Sequence, residues 1–519
     1  MKKWRGKMVW LLPSLIICIA VLLLFNHNYQ KVTEPPDDNW SRALDIGTTP
    51  ILRSPHAKMM KGNATVSFLT PNGIQENSYN EDFEKVERKN HDIPVDKFTQ
   101  FYIEEDRVVY TDYYHLYDEE SGKKISEIQK FFPLKSEAFY RNEDKLFRLD
   151  THQLEGEALL TLANPKAELK MIETENGVYL LIRMVSIEGN QLTYYQVKGN
   201  NLQKLGENAF AVKGSEEVRD IQFTVKNNMY HILVSTLQKQ SQSGEVENDY
   251  YYAEGPFEED PNLNRLSFSD PFSSTELREV SDLSMEYTED GTLLLFKATG
   301  WTETRFRENT QFNIYQAKIK NNNETEVTRL SNTPSFSNFP IRVNPDTIIW
   351  VDHGGENHNL LVSSSRPEVI TKADQVTKQA LLHTSGKTIG MLSAGLFALL
   401  ISIIWFLWPL LFMIIIMFTR VEAMDQDRSW VLYTGIFIYL IAAIWTKDLL
   451  FSESLLSRAP EYLSFPGSPI LYLLSFGLIS FAMLKIGSPT KDWSIPVQLT
   501  YFIGVHVLLI TVIFGPYLL

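Results

Sequence analysis

The sequence predicts an all-β repeat domain held between α-helical membrane segments, on three observations. A turn signal followed at once by a β-rich run recurs seven times between residues 51 and 370. An uncharged stretch, Met8–Phe25, follows a basic N-terminus, and four more uncharged runs follow residue 387. Whole-chain averages conceal this division. With 519 residues, 44% apolar and 22% charged, and a mean hydropathy of −0.16, the chain reads as an ordinary soluble protein until the count is split. Residues 1–25 carry four basic and no acidic side chains, and residues 388–519 carry six basic and seven acidic. Residues 26–387 carry 39 basic and 56 acidic, a net of −17. So acidic a block excludes a basic nucleic-acid binder, and no nucleic-acid partner is expected.

The repeats set the fold of the middle block. Gly62-Asn63, Glu105-Asp106, Glu143-Asp144, Asn176-Gly177, Asn227-Asn228, Asp290-Gly291 and Pro345-Asp346 each precede a run of strand-forming residues. Counted from Thr65, Arg107, Lys145, Val178, Met229, Thr292 and Thr347, the steps are 42, 38, 33, 51, 63 and 55 residues. Alternating strands such as Ile221–Val225 and Leu283–Tyr287 come before the turn, and runs such as Leu192–Val197 or Gln311–Ile319 come after it. Strand, tight turn, strand, loop, strand at a period near ~45 residues is the pattern of a four-stranded propeller blade. The expectation is a β-propeller of about seven blades over 51–370, with insertions at Gln238–Asp249 and Glu254–Ser274. Residues 26–50 and 371–387 are expected as two stalks.

The membrane segments follow from length and charge. Eighteen helical residues from Met8 to Phe25 span ~27 Å, enough for a bilayer core. No small-residue cleavage pattern follows, so residues 1–25 read as a basic tail and an uncleaved signal anchor. Lys2, Lys3, Arg5 and Lys7 place the N-terminus in the cytoplasm and residues 26–387 outside it. The runs Thr388–Thr419, Trp430–Trp445, Ile470–Leu484 and Ile495–Phe514 then make a four-helix transmembrane domain over 388–519, with Pro409 a place where the first run could break. The single cysteine, Cys18, lies in the anchor. The exported block therefore has no thiol for a disulfide or a Cys-based zinc site, which suits a bacterial cell envelope.

Two features of the spans point to partners. Gly390, Ala394, Ala398 and Ser402 recur every four residues, a stripe of small side chains that lets helix backbones approach closely in lipid. Its partner is either another span of this chain or a second membrane protein. His506 is the one clearly ionisable side chain well inside a run. It reads as a proton relay or as an interhelical hydrogen bond that positions the span.

Catalytic motifs are missing from the sequence: no phosphate-binding loop, dinucleotide glycine motif, His-Glu-x-x-His or Gly-x-Ser-x-Gly occurs. Asp352–His358 holds two histidines and two carboxylates around Gly354-Gly355, read either as a cation site or as a polar hairpin loop. Tyr113-Tyr114-His115-Leu116-Tyr117 and Tyr250-Tyr251-Tyr252 are either stacking surfaces for sugars or peptides, or strand residues of a core. No cofactor or catalytic residue is assigned. The expected function is an integral protein of a bacterial cell membrane whose outer domain binds a protein or small ligand while the helices anchor it in the bilayer or dock a membrane partner. An exported hydrolase and an accessory component of a transporter are the alternatives.

Overall fold

The computed structural model describes residues 2–60, 62–187, 189–238, 248–289, 291–320, 324–487 and 493–518, with side chains from Val9 onward. The side chains of Lys2, Lys3, Arg5 and Lys7, residues 239–247, Asp290 and Lys491 lie outside the described residues. The chain divides into two compact units, residues 34–302 with 309–375, and residues 1–33 with 303–308 and 376–519.

The first unit is a seven-bladed β-propeller. Seven antiparallel four-stranded sheets follow one another along the chain: blade 1 over 56–91, blade 2 over 101–127, blade 3 over 130–161, blade 4 over 168–210, blade 5 over 216–266, blade 6 over 278–329 and blade 7 over 337–364. Blade 7 takes its outer strand from the other end of the unit. Leu44–Thr49 pairs with His358–Ser364, from Leu44 opposite Val362 to Thr49 opposite His358. Ser41 tightens the join, with its N–H donating to Ser364 O (2.9 Å) and its carbonyl accepting from Ser363 Oγ (2.8 Å). The ring closes by hydrogen bonds between strands from the two ends of the unit, and Leu44–Thr49 becomes the edge strand of the last sheet.

Residues 26–50, expected as a stalk, are therefore not a linker. The first helix runs to Val32, and the segment after it is tied down by Arg329. That buried guanidinium donates to Pro36 O (3.2 Å) and Trp301 O (2.9 Å) and stacks 3.7 Å from the Phe272 ring centre. Trp40 then packs among Leu295, Leu330 and Trp350.

Six of the seven turn signals sit between the first and second strands of a blade. Asn227 and Asn228 both take positive φ (50° and 61°), the geometry that matches a two-residue turn to strand twist. In blade 3 the signal Glu143-Asp144 instead joins the second and third strands, Ala138–Asn142 and Lys145–Asp150. The first turn of that blade, residues 134–137, is closed by Leu134 N–H donating to Glu137 O (2.9 Å) and has no Asx-Gly signature. The stretch Glu254–Ser274 is only partly an insertion, since it contains the end of the third strand of blade 5 and its whole fourth strand, Asn264–Leu266. The core lies between blades: Tyr194 of blade 4 stacks on Tyr230 of blade 5 at 5.4 Å. The first strands of blades 4, 5, 6, 7 and 1 touch in turn, at the inner end of each sheet.

The helices are α1 (Lys2–Val32), α2 (Pro367–Ala373), α3 (Lys378–Gly395), α4 (Phe397–Thr419), α5 (Val421–Asp425), α6 (Ser429–Trp445), α7 (Glu453–Arg458), α8 (Glu461–Ser464), α9 (Ser468–Gly487) and α10 (Ile495–Ile513). Among the described residues, four stretches are long and apolar enough to cross a membrane: Val9–Val32, Lys378–Thr419, Ser468–Ile486 and Ile495–Ile513. The expected fifth span corresponds to α6, whose 17 residues reach only about 26 Å. Pro409 lies inside α4 without ending it. The interruption falls instead at Leu396, after Gly395, whose backbone lies against Gly515; a Cβ on Gly515 would come within 2.7 Å of Gly395 Cα. Residues 378–387, expected as part of a stalk, are the first turns of α3.

Within this unit the helices alternate in direction. Tyr501 Oη donates to Val9 O (2.8 Å), Lys485 Nζ to Tyr433 Oη (3.0 Å) and Ile495 N–H to Asp427 Oδ1 (3.2 Å), which gathers the starts of α1, α6 and α10 with the end of α9. At the other end Asn28 Nδ2 donates to Thr388 Oγ1 (3.0 Å), and Phe514 packs on Phe451 and Tyr472. Despite its length, α6 runs between the same two ends as α10.

Candidate functional site

The small-residue stripe is used within the chain. A Cβ on Gly390 would meet the Phe306 ring at 2.7 Å. Ala394, Ala398 and Ser402 are buried, and Ser402 Oγ donates to Ala398 O within its own helix (2.7 Å). The four residues fall on both sides of the Leu396 interruption, so they line two helices rather than one. His506 on α10 is fully buried, and each ring nitrogen has one partner. Nδ1 lies 2.8 Å from Tyr439 Oη on α6, and Nε2 lies 2.9 Å from Leu473 O on α9. Since a carbonyl only accepts, Nε2 carries the proton and Nδ1 accepts from the tyrosine hydroxyl. The imidazole links three helices.

The two tyrosine-rich runs separate. Tyr250, Tyr251 and Tyr252 lie in the third strand of blade 5 and are buried, with Tyr252 only 3% exposed. Strand alternation sends Tyr250 and Tyr252 into the layer against blade 6 and Tyr251 into the layer against blade 4. Each hydroxyl is satisfied: Tyr250 donates to Val280 O (2.8 Å), Tyr251 to Glu216 Oε1 (3.0 Å) and Tyr252 to Glu254 Oε2 (2.6 Å).

Tyr113 and Tyr114 have the opposite environment. They form the turn between the second and third strands of blade 2 and are 53% and 62% exposed. Phe98, 41% exposed, reaches them from the connection between blades 1 and 2. Phe98 and Tyr113 lie edge to face at 4.3 Å, and Tyr113 and Tyr114 at 4.5 Å. Lys97 Nζ stands 4.8 Å from the Phe98 ring centre. Asp112 holds the turn. Its Oδ1 accepts from the N–H groups of Tyr114 and His115 (both 2.7 Å), and its Oδ2 accepts from Tyr117 Oη (3.1 Å). Desolvation opposes the carboxylate, but these donors together hold Asp112 below the usual aspartate range. The outcome is a continuous, solvent-facing ridge of three rings on a preorganised turn.

Sequence reading picked out Tyr113 and Tyr114 but missed Phe98 and Asp112. Asp112 had a local signal, an Asx residue directly before a turn. Phe98 had none, because only the pairing of blade 2 brings it to the turn.

Two other polar groups resolve as parts of the fold. In the Asp352–His358 turn, His353 Nδ1 accepts from Gly355 N–H (3.1 Å) and His358 Nδ1 from Gly354 N–H (3.3 Å). Asp352 itself is buried, accepting from Ser337 Oγ and Trp350 Nε1 (both 2.8 Å), and burial raises its pKa to about 6. Among the described residues, no group of three or more His, Cys, Asp or Glu side chains could hold a metal ion. His231 in blade 5, not singled out from the sequence, is buried with Nδ1 2.8 Å from Tyr252 Oη and 3.0 Å from Glu254 Oε2. Its Nε2 has no hydrogen-bond partner among the described residues. Burial lowers its pKa against the pull of Glu254.

By its architecture the chain is a seven-bladed propeller joined to a bundle of apolar helices. No protein-family model matches it, and no curated protein matches its sequence. Among solved structures, the polysaccharide lyase Uly1 aligns over 65% of this chain and 95% of its own at 10% identity, with a TM-score of 0.37. The complex of KlAtg21 with the coiled coil of AgAtg16 aligns over 59% of this chain and 95% of its own at 12% identity and TM-score 0.35. The Neurospora crassa Pan2 WD40 domain aligns over 63% and 96% at 10% identity and TM-score 0.30. All three scores lie below 0.5, so the propeller assignment rests on the strand order and not on these likenesses.

Proposed function

We propose that this chain is a multi-pass protein of a bacterial cell membrane, whose propeller lies outside the cytoplasm and binds a partner through the blade 2 ridge. The observation that carries this reading is the ridge itself. Phe98, Tyr113 and Tyr114 keep large apolar faces in solvent and touch one another, whereas Phe272 and Phe336, also exposed, lie against Arg329 and Phe312 instead. Grouped exposed aromatics with a few polar neighbours are what binding surfaces are made of. The alternating helices supply an anchor, and the basic N-terminus favours a cytoplasmic position for the end that also holds Arg420 and Arg428.

Two measurements test this. A photo-crosslinking side chain at position 114 is expected to capture a discrete partner in cells, and Asp112→Ala should abolish that capture. The same group at the exposed Val185 of blade 4 should not capture it. Equal capture from both positions, or none from 114, refutes the ridge. Because Cys18 is the only cysteine, a Cys18→Ser background allows orientation to be read from single added thiols. Glu120→Cys should react with a membrane-impermeant maleimide in intact cells, and Gln426→Cys only after permeabilisation; the reverse pattern overturns the topology.

A further inference from the structure

At the axial edge of blades 3, 4 and 5 lies a cavity of about 320 Å³, at the small end of the range for ligand sites. Its floor is apolar, with Phe132, Leu169, Met171 and Ile221 among the lining residues. Its rim carries five charges, Lys130, Lys170, Arg183, Glu168 and Asp220, for a net of +1 inside a strongly acidic domain.

The five are not equally engaged. Arg183 and Glu168 form a close pair, Nη1 to Oε2 at 2.7 Å, and Arg183 Nε also donates to Asn190 Oδ1 (2.9 Å). Asp220 accepts from Gln222 Nε2 at 2.6 Å and is 3.4 Å from Lys170 Nζ through both oxygens. Among the described residues Lys130 Nζ donates only to a neutral carbonyl, Leu169 O (3.1 Å), and it lies 5.0 Å from the Phe132 ring centre. Among the described residues no carboxylate lies within ion-pair distance of it. An ammonium has three donors, and Lys130, which is exposed, commits one of them to Leu169 O and leaves the others to solvent or a ligand. Desolvation pushes both lysines below their usual range, against the pull of Glu168 and Asp220 on Lys130 and of Asp220 on Lys170. The cavity thus has spare cationic donors above an apolar floor.

We infer that this cavity binds a small organic anion, with its oxyanion head between Lys130 and Lys170 and its apolar body on the Phe132–Met171 floor. The net of +1 matches a monoanion, so a carboxylate fits better than a phosphate dianion. The site is separate from the blade 2 ridge, and either can fail without the other.

The test is fluorine NMR on the full chain in detergent micelles, with 4-fluorobenzoate as probe and protein-free micelles as reference. Saturable binding is expected, with a dissociation constant of about 1 mM or tighter. Lys130→Met should weaken it by about tenfold or more, whereas Lys130→Arg should keep it within about threefold. If Lys130→Met melts early, Lys130→Gln keeps a donor for Leu169 O without the charge and should show the same loss. The inference is overturned by no saturable binding, by unchanged affinity in the charge-removing variants, or by equal binding of 4-fluorobenzylamine. Inorganic phosphate that binds where 4-fluorobenzoate does not would overturn the carboxylate assignment.

Discussion

Tyr250–Tyr252 in blade 5 and Tyr113–Tyr114 in blade 2 are chemically alike, yet the first run fills two packed layers while the second stands in solvent. The difference is one of place in the blade. A third strand has both faces covered by neighbouring blades, so three successive tyrosines bury on alternating sides and each hydroxyl needs a partner. A turn between strands has no blade above it. The turn that carries Tyr113 and Tyr114 is held by the Asp112 carboxylate, and their ring-to-ring contacts are with each other, Phe98 and His115 rather than with a covering blade. Burial makes the first run a matter of stability, and exposure leaves the second free for recognition.

The largest effect should come from truncation inside the layer. Tyr252→Ala is expected to cost about 3–5 kcal/mol, by removing a buried ring and leaving Glu254, His231 and Thr292 with one partner fewer. Tyr114→Ala should change stability by less than about 0.5 kcal/mol. Denaturant unfolding of the full chain reads both, and equal losses would erase the distinction.

Acid should separate the two regions next. His231 beside Tyr252 has a folded pKa below its unfolded value of 6.5. The unfolded chain therefore takes up the proton first, and stability present above pH 6.5 is lost as pH falls below it towards the folded pKa. Asp112 is shifted down from 3.8, so its contribution persists above that value and goes only as pH falls through the lower folded pKa. Between pH 7.5 and 5, protection factors corrected for the intrinsic exchange rate should fall around His231 and Tyr252 while the amides of Tyr114 and His115 hold theirs. His231→Gln should remove its share of that loss of protection; an identical profile in the variant would mean that other groups cause it.

The smallest perturbation is chemical. Tetranitromethane should nitrate Tyr113 and Tyr114 and spare Tyr250, Tyr251 and Tyr252, as mass spectrometry of peptides would record. Nitration of the blade 5 run in folded protein would place those rings at the surface.

Most of the propeller was legible because its first hairpins are tight turns, and tight turns need particular residues. Asn227-Asn228 and Asn176-Gly177 supply the backbone angles that such turns require. In blade 3 the signal marks the second hairpin and not the first, because its first turn has no such residues and its second turn does, and the count of seven is unaffected. The closing strand Leu44–Thr49 was not legible. Its neighbour Ser41 bonds to Ser364, 323 positions later, and no local pattern reports so distant a pairing. The spacing of Gly390, Ala394, Ala398 and Ser402 is visible in the sequence, but nothing in it says that Phe306, from a loop between two strands of blade 6, lies against Gly390.

By itself the sequence determined what repeats and what is apolar: seven turn-and-strand units, an acidic middle block, and uncharged runs at both ends. Those are properties of neighbouring residues, set by backbone angles and transfer from water. Tertiary structure alone decided which alike residues differ. It made one tyrosine run core and the other ridge, gave His506 a partner for each nitrogen and left His231 Nε2 without one among the described residues, and brought Lys130 and Lys170 from separate blades to one cavity. Exposure and charge pairing depend on contacts between residues far apart in the chain, and only the closed ring and the packed bundle create those contacts.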